Sequence, residues 1–216
     1  MRIAQIAPFV DPVSFDSENP EGKVIAHLAS GLIRLGHDVT VFASGDSTLP
    51  GDLVPVAPRA MRSYPAPKRH LADALTFLAL EKAFATKPSF DLIHVHAGLV
   101  AFPLMRRSPS AVLATVYGEL GAPELRHVYR QFKELALVAT REDQIQECAD
   151  LNWQSFIPIE FVREHHDHRA LQVHLARAYE AVYEWSVLTQ ASSAGLFHQE
   201  LPEEEGISLR SYSRLA

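Results

Sequence analysis

The start of the chain constrains the fold most, because it predicts a strand, a helix and a second strand in succession. Residues 3–7 (IAQIA) are short and mostly apolar, as expected of a strand covered on both faces. The helix that follows has Asn19 as its N-cap, Pro20 at its first position and Gly36 as its left-handed C-terminal residue. Residues 38–43 (DVTVFA) form the second strand. This order predicts a right-handed βαβ unit within a parallel sheet.

The same alternation continues to about residue 159. One face of the second helix is marked by Leu71, Leu75, Leu78 and Lys82. Pro103 is expected to bend the third helix. The predicted fold class is therefore α/β, with a doubly wound, mainly parallel sheet. Its further strands are residues 53–54, 91–95, 111–117, 135–139 and 152–159, and its further helices are residues 71–85, 97–106, 123–132 and 141–149.

The pattern changes after residue 159. We divide the chain into a sheet domain (1–159), a charged linker with a long helix (160–190) and a polar tail (191–216) that we expect to be loosely attached or disordered. The long helix begins near residue 168. Its predicted apolar stripe consists of Leu171, Leu175, Ala178, Val182 and Trp185, with Tyr179 and Tyr183 beside it.

Composition removes several function classes. A chain of 216 residues suits one large domain or one domain with an appendage. The net charge of −6 argues against nucleic acid or an anionic membrane surface as a partner. The single cysteine, Cys148, excludes an internal disulfide framework and fits a reducing compartment. Apolar runs stay shorter than the roughly 20 residues of a membrane helix. We therefore expect a cytoplasmic protein.

Four phrases of the sequence are distinctive: residues 1–8 (MRIAQIAP), 28–32 (LASGL), 36–47 (GHDVTVFASGDS) and 90–96 (FDLIHVH). Weaker matches are residues 115–118 (TVYG) and 137–140 (LVAT). Together they resemble the N-terminal domain of family-4-type retaining glycosyltransferases, which have the GT-B architecture. The resemblance covers roughly residues 1–159, and residues 36–47 are its most specific part.

The resemblance implies a Rossmann-like lobe that mainly holds the sugar acceptor. In such enzymes a second lobe grips the nucleotide-sugar donor. Fewer than sixty residues follow Ile159 here, against roughly 100 for a typical domain. Residues 178–183 (AYEAVY) resemble the C-terminal helix that crosses back onto the N-terminal lobe in these enzymes. The hypothesis is an N-terminal lobe joined directly to its crossing helix.

The first helix departs from the family pattern at its start. Relatives carry Gly-Gly-Thr-Glu there, whereas this chain has residues 19–22 (NPEG). Pro20 lacks an N–H group, and Glu21 would repel a diphosphate. Two interpretations follow, an anion site formed by Gly22 and Lys23 or a plainly capped helix, and the second is favoured.

The candidate ligand-binding residues lie where strands end, since open α/β sheets bind ligands at that edge. Tyr117 stands where many relatives have histidine, and it precedes Gly118 and Glu119. Glu119 either accepts a sugar hydroxyl or is a solvated loop residue. Arg141 either meets an anion or is solvated.

Histidines are the remaining candidates. His96 matches the strand-end histidine of the family and is a candidate for ligand contact, whereas His94 is predicted to be a hydrogen-bonded core residue. We expect the two rings to point to opposite faces of the strand, and so not to share a metal ion. The cluster of His165, His166 and His168 is interpreted as a solvated linker, and no metal site is predicted.

Two functions follow from the resemblance. The first is a sugar- or glycan-binding or regulatory module without transferase activity of its own and without a cofactor. The alternative is a working retaining hexosyl-type glycosyltransferase whose donor site is completed by a partner chain or a second protomer. That enzyme would use a UDP-, GDP- or ADP-linked sugar. Expected partners are a glycan or a small sugar acceptor, and a homodimer or another protein.

Overall fold

The structure is a computed structural model that describes residues 1–64, 69–159 and 168–193. Seven parallel strands form one sheet in the order β3-β2-β1-β4-β5-β6-β7. This arrangement confirms the predicted doubly wound α/β fold, with the topological reversal between β1 and β4. The strands are β1 (Arg2–Ile6), β2 (Asp38–Ser44), β3 (Asp52–Ala57), β4 (Leu92–Val95), β5 (Ala111–Val116), β6 (Ala136–Ala139) and β7 (Trp153–Phe156).

Helices cover both faces of this sheet. The first begins as the sequence predicts: the side-chain oxygen of Asn19 accepts a hydrogen bond from the Glu21 N–H at 3.0 Å. Gly36 follows its end with φ +89°, the left-handed conformation that suits glycine. The helices are α1 (Pro20–Arg34), α2 (Arg69–Ala85), α3 (Phe102–Met105), α4 (Pro123–Arg130), α5 (Glu142–Glu147) and α6 (His168–Ser193).

The two faces of the sheet carry separate hydrophobic cores. One core joins the sheet to α1 and α6 and contains the fully buried side chains of Leu28, Leu171 and Tyr179. The other joins it to α2, α3 and α4 and contains Leu80 and Phe102. Because the central strands are covered on both faces, nearly all their apolar positions are buried, whereas those of the edge strands β3 and β7 are mostly half-buried.

The final helix packs on the lobe, as the crossing-helix hypothesis requires. Helix α6 lies across α1, and the contact is closest at Gly31. A methyl group added at Gly31 would overlap the Gln172 carbonyl oxygen and stand 2.8 Å from the Ala176 side chain. Only glycine lets the two helix backbones approach this closely.

The predicted helix faces are correct only in part, although Leu171, Leu175 and Val182 of the α6 stripe are buried as expected. In α2 the side chains of Leu71 and Leu78 are about two-fifths exposed, whereas Ala72, Ala79 and Leu80 are buried. The side chains of α2 that face the sheet are mainly small ones rather than the row of leucines, because the helix lies close to the sheet. In α6, Trp185 is 55% exposed, although it belongs to the predicted stripe. Tyr179 and Tyr183, which were placed beside that stripe, are fully buried.

The predicted helix at residues 97–106 is also different. It consists of a 3-10 turn (Gly98–Ala101) followed by the short α3, and Pro103 lies in the first turn of α3. Proline fits this position, because the first N–H groups of a helix have no partner within it.

Part of the predicted organisation lies outside the described residues. This applies to the charged linker, including His165 and His166, and to the tail from residue 194 onward. None of the helices that the structure describes is long and apolar enough to cross a membrane.

The contact at Gly31 predicts a large effect of a small substitution. On helix propensity alone, Gly31→Ala would stabilise α1 by about 1 kcal/mol. We expect instead a loss of about 2 kcal/mol in the free energy of unfolding, because the added methyl group overlaps the backbone of α6. Urea unfolding measures this. Gly118→Ala is the matched control, since nothing lies within 4 Å of its added methyl group. A stabilised Gly31→Ala variant would contradict the packing.

Candidate functional site

The candidate site lies at the carboxyl edge of the sheet, where β1, β4, β5 and β6 end beside the start of α1. This is the edge at which open α/β sheets bind ligands. The predicted residues at this edge come from four elements. Gly22 and Lys23 belong to α1, His96 follows β4, Tyr117, Gly118 and Glu119 follow β5, and Arg141 precedes α5. Glu21, which was not a predicted ligand-binding residue, lies beside Gly22 in α1.

His94 and His96 lie on the same face of the sheet, so the prediction of opposite faces is wrong. Their ring centroids are 4.0 Å apart. The reason is elementary: side chains alternate along a strand with a period of two, so residues two apart share a face. Both rings point toward α6. His94 is a hydrogen-bonded core histidine, as predicted.

A continuous hydrogen-bonded set of polar side chains, here called the relay, fills the space between the sheet and α6. Its members are Tyr117, His96, Gln5, Tyr183, His94, Thr115 and Tyr179. In this order successive polar atoms are 2.7, 2.6, 3.0, 2.7, 2.7 and 2.9 Å apart. All members except Tyr117 are buried, and Tyr117, at the carboxyl edge, is partly buried. The relay therefore connects the carboxyl edge with the crossing helix.

Burial keeps the titratable groups of the relay neutral. It lowers the pKa of His96 to about 3 and, together with the neighbouring His96, lowers the pKa of His94 well below its usual value. It also raises the pKa of Tyr117, Tyr179 and Tyr183. At neutral pH each ring of His94 and His96 thus has one donor and one acceptor nitrogen.

The loop before α1 is fixed by Asp11. This nearly buried carboxylate forms an ion pair with Arg62 and accepts a hydrogen bond from the Asn19 side chain at 3.1 Å. The Arg62 hydrogen bond holds the pKa of Asp11 below its usual value. Asp11 therefore remains charged beside the start of α1.

Glu21 lies between Asp11 and Tyr117. Burial, with the Asp11 carboxylate second, raises the pKa of Glu21 to about 7. Its charge in turn raises the pKa of Tyr117, although less than burial does. Gly22 is buried under the preceding loop, where an added methyl group would stand 2.7 Å from the Ser17 hydroxyl. Lys23 is partly buried. Ligand contact by Gly22 and Lys23 stays a prediction.

Gln144 joins the ends of β5 and β6. Its amide nitrogen donates to the carbonyl oxygen of Gly118 at 2.7 Å, and its amide oxygen accepts from the Arg141 N–H at 3.2 Å. The Arg141 guanidinium donates to Asp143 at 2.6 Å and lies 3.6 Å from the Glu119 carboxylate. Arg141 is thus held by acidic neighbours, and its contact with a ligand stays a prediction.

Sequence analysis missed Gln5 and Gln144 as organising residues. Gln5 had a signal, because a polar residue stands in the middle of an otherwise apolar buried strand. No feature of the sequence pointed to Gln144, because its side chain forms hydrogen bonds at the end of a strand that is distant in sequence. Within the described ranges, no group of three or more metal-ligating residues comes together.

The sheet order, the helices on both faces and the polar carboxyl edge define a Rossmann-like lobe of the GT-B kind. The sequence model of Glycosyltransferase Family 4 matches residues 22–143, more than half of the chain. The chain therefore belongs to glycosyltransferase family 4, and it is a glycosyltransferase-like N-terminal lobe. No curated protein matches its sequence significantly.

A solved structure with the same fold is a sucrose-phosphate synthase from Thermosynechococcus elongatus. The two chains superpose with a TM-score of 0.53 at 14% sequence identity, over 85% of this chain and 99% of the other. At this identity the likeness concerns the fold alone.

The relay predicts unequal effects of two tyrosine substitutions in α6. Tyr183→Phe should lower the free energy of unfolding by about 2 kcal/mol, because it leaves the buried polar atoms of Gln5 and His94 without a partner. Tyr179→Phe, at the end of the relay, should cost about half as much. Both are measured by urea unfolding. Equal, negligible losses would contradict the relay.

The buried histidines predict lower stability in acid. An unfolded histidine binds its proton near pH 6.5, whereas folded His96 does so near pH 3 and folded His94 well below 6.5. Between these values the unfolded state binds more protons. Stability is therefore fully present above pH 6.5 and falls by about 1 kcal/mol per histidine and pH unit below it.

Glu21 acts in the opposite direction. Its folded pKa of about 7 exceeds the unfolded value of 4.5, so its contribution is present in acid and is lost as pH rises through 7. Two histidines outweigh one glutamate, and we expect a net loss of stability from pH 6.5 to 4.5 in urea unfolding. Glu21→Gln should steepen this loss. A flat profile would contradict the neutral relay.

Proposed function

We propose that this lobe binds a hydroxyl-rich saccharide at its carboxyl edge and does not transfer sugar by itself. The observation that carries the proposal is the set of hydrogen-bond acceptors at this edge. Glu21, Tyr117 and Glu119 have carboxyl or phenol oxygens there. Such oxygens accept hydrogen bonds from neutral donors, and the hydroxyl groups of a saccharide are donors of this kind.

The start of α1 is poorly suited to a phosphate. Phosphate sites at helix starts use free backbone N–H groups and the positive end of the helix dipole. Here Pro20 has no N–H group, and the Glu21 N–H donates to the Asn19 side chain. The Glu21 carboxyl, whose pKa burial raises to about 7, supplies no positive charge there, and the Asp11 carboxylate is already paired with Arg62. These features favour a neutral ligand over a nucleotide diphosphate.

Partners and location are also proposals. A second protomer or a partner protein is supported by the exposed apolar side chains of Trp185 and Leu188 near the end of α6, because exposed apolar surface is a common site of protein contact. A cytoplasmic location is supported by the single cysteine, Cys148, which is a buried thiol.

Calorimetric titration tests the proposed function. The pure protein is titrated with glucose and maltose, and separately with UDP, GDP, ADP and their common sugar conjugates. We expect saccharide binding with a dissociation constant of about 1 mM, which is roughly 4 kcal/mol, and no heat from the nucleotides. A sugar-transfer assay should then show no turnover.

Two results would contradict this expectation. Nucleotide-sugar binding tighter than about 1 mM would support the alternative, a working transferase whose donor site a second protomer or partner completes. Light scattering at the same concentration would then establish whether a dimer carries that site. An absence of heat from every saccharide would overturn the proposal that the lobe binds a saccharide.

A further inference from the structure

Gln5 gives the relay a direction. The amide group of Gln5 lies between α6 and β4, and its nitrogen donates to the Tyr183 hydroxyl at 3.0 Å. Its oxygen can only accept, and its neighbour at 2.6 Å is Nε2 of His96. With the Gln5 amide oriented in this way, the proton on His96 is on Nε2.

The state of His96 then determines what Tyr117 can do. His96 is 2% exposed, and burial lowers its pKa to about 3, so the ring carries a single proton at neutral pH. With that proton on Nε2, Nδ1 is a bare acceptor. Tyr117 lies 2.7 Å from Nδ1 and must donate its hydroxyl proton inward. Its oxygen then has only lone pairs to offer a ligand hydroxyl.

We propose that Tyr117 is a specificity-determining residue that accepts a hydrogen bond from a ligand hydroxyl, and that α6 fixes this polarity through Tyr183 and Gln5. The inference rests on the proposed saccharide-binding function and names the hydrogen-bonding role of one residue in it. An ordinary surface tyrosine can donate or accept. Here the buried relay removes the donor, so Tyr117 selects ligands that present a donor.

The surroundings of Tyr117 support the same selection. Burial is the main reason that the pKa of Tyr117 is raised, the nearby Glu21 carboxyl adds to it, and the Asp11 carboxylate in turn acts on Glu21. An ionised carboxylate accepts hydrogen bonds, and so does the oxygen of the neutral Tyr117 phenol. A phosphate oxygen at this position would meet lone pairs and negative charge. A saccharide hydroxyl would meet acceptors.

The first test needs no ligand. Nitrogen-15 NMR of labelled histidines distinguishes a protonated ring nitrogen from a bare one, and the loss of signals in His96→Gln assigns His96. We expect protonated Nε2 and bare Nδ1. A protonated Nδ1 would reverse the relay, make Tyr117 a donor toward the cleft and overturn the proposal.

Two variants test the role of α6 in the same spectrum. Tyr183→Phe removes the acceptor that orients the Gln5 amide, so we expect a mixture of the two His96 tautomers. Tyr179→Phe is the matched control, because it removes a buried hydroxyl that lies farther along the relay. An unchanged tautomer in Tyr183→Phe would show that α6 does not fix the polarity.

The second test uses maltose and inorganic phosphate as probes, and binding is followed by the NMR signal of the Gly118 amide. We expect maltose to bind wild type and to bind Tyr117→Phe about fivefold more weakly, as expected for one lost hydrogen bond. Phosphate should leave the Gly118 amide unchanged. Phosphate binding that weakens in Tyr117→Phe would overturn the acceptor role. If maltose does not bind while Nε2 of His96 is protonated, the proposed function fails and the polarity of the relay stands.

Discussion

The contact between α6 and the rest of the lobe is the constraint on which the structure depends. It has a steric part and a polar part. The steric part is the close crossing of α1 and α6 at Gly31, where no side chain fits. The polar part is the relay, in which Tyr179 and Tyr183 reach the buried polar residues of the sheet. Each part requires the other, because the tyrosine hydroxyls meet their partners only when the helices approach closely.

The same contact links the core to the carboxyl edge. Buried polar groups are costly unless every one finds a partner. The relay provides partners in succession from Tyr179 to Tyr117, so the last member at the cleft is oriented by the first members in α6. A structural requirement of the core thereby sets the hydrogen-bonding character of the candidate site. The Tyr117 hydroxyl extends the relay to the carboxyl edge of the sheet.

Much of the fold could be predicted from the sequence because strands and helices alternate with clear caps. Asn19 and Gly36 marked the ends of α1, and each predicted strand lies near its observed position. The inward face of α2 could not be predicted, because a row of leucines competes with a row of small residues and the distance to the sheet decides between them.

The site was less accessible to prediction. His94 and His96 were placed at the correct strand, yet on opposite faces, through an error in applying the strand period rather than for lack of signal. Correct application would have put both rings on the face that α6 covers. The partners Gln5, Thr115 and Tyr183 come from three other elements. Their meeting depends on strand order and on the docking of α6, which spacing along the chain does not contain.

Native-state hydrogen exchange tests the central claim most directly, namely that α6 is an integral part of the lobe. The amides around Tyr179 and Tyr183 should be as protected as those of β1 and β4, and should open only with the global unfolding of the protein. Exchange of α6 amides through a separate opening of much lower free energy, while β1 and β4 stay protected, would contradict it. The helix would then be an appendage, and it could not fix the polarity of the cleft.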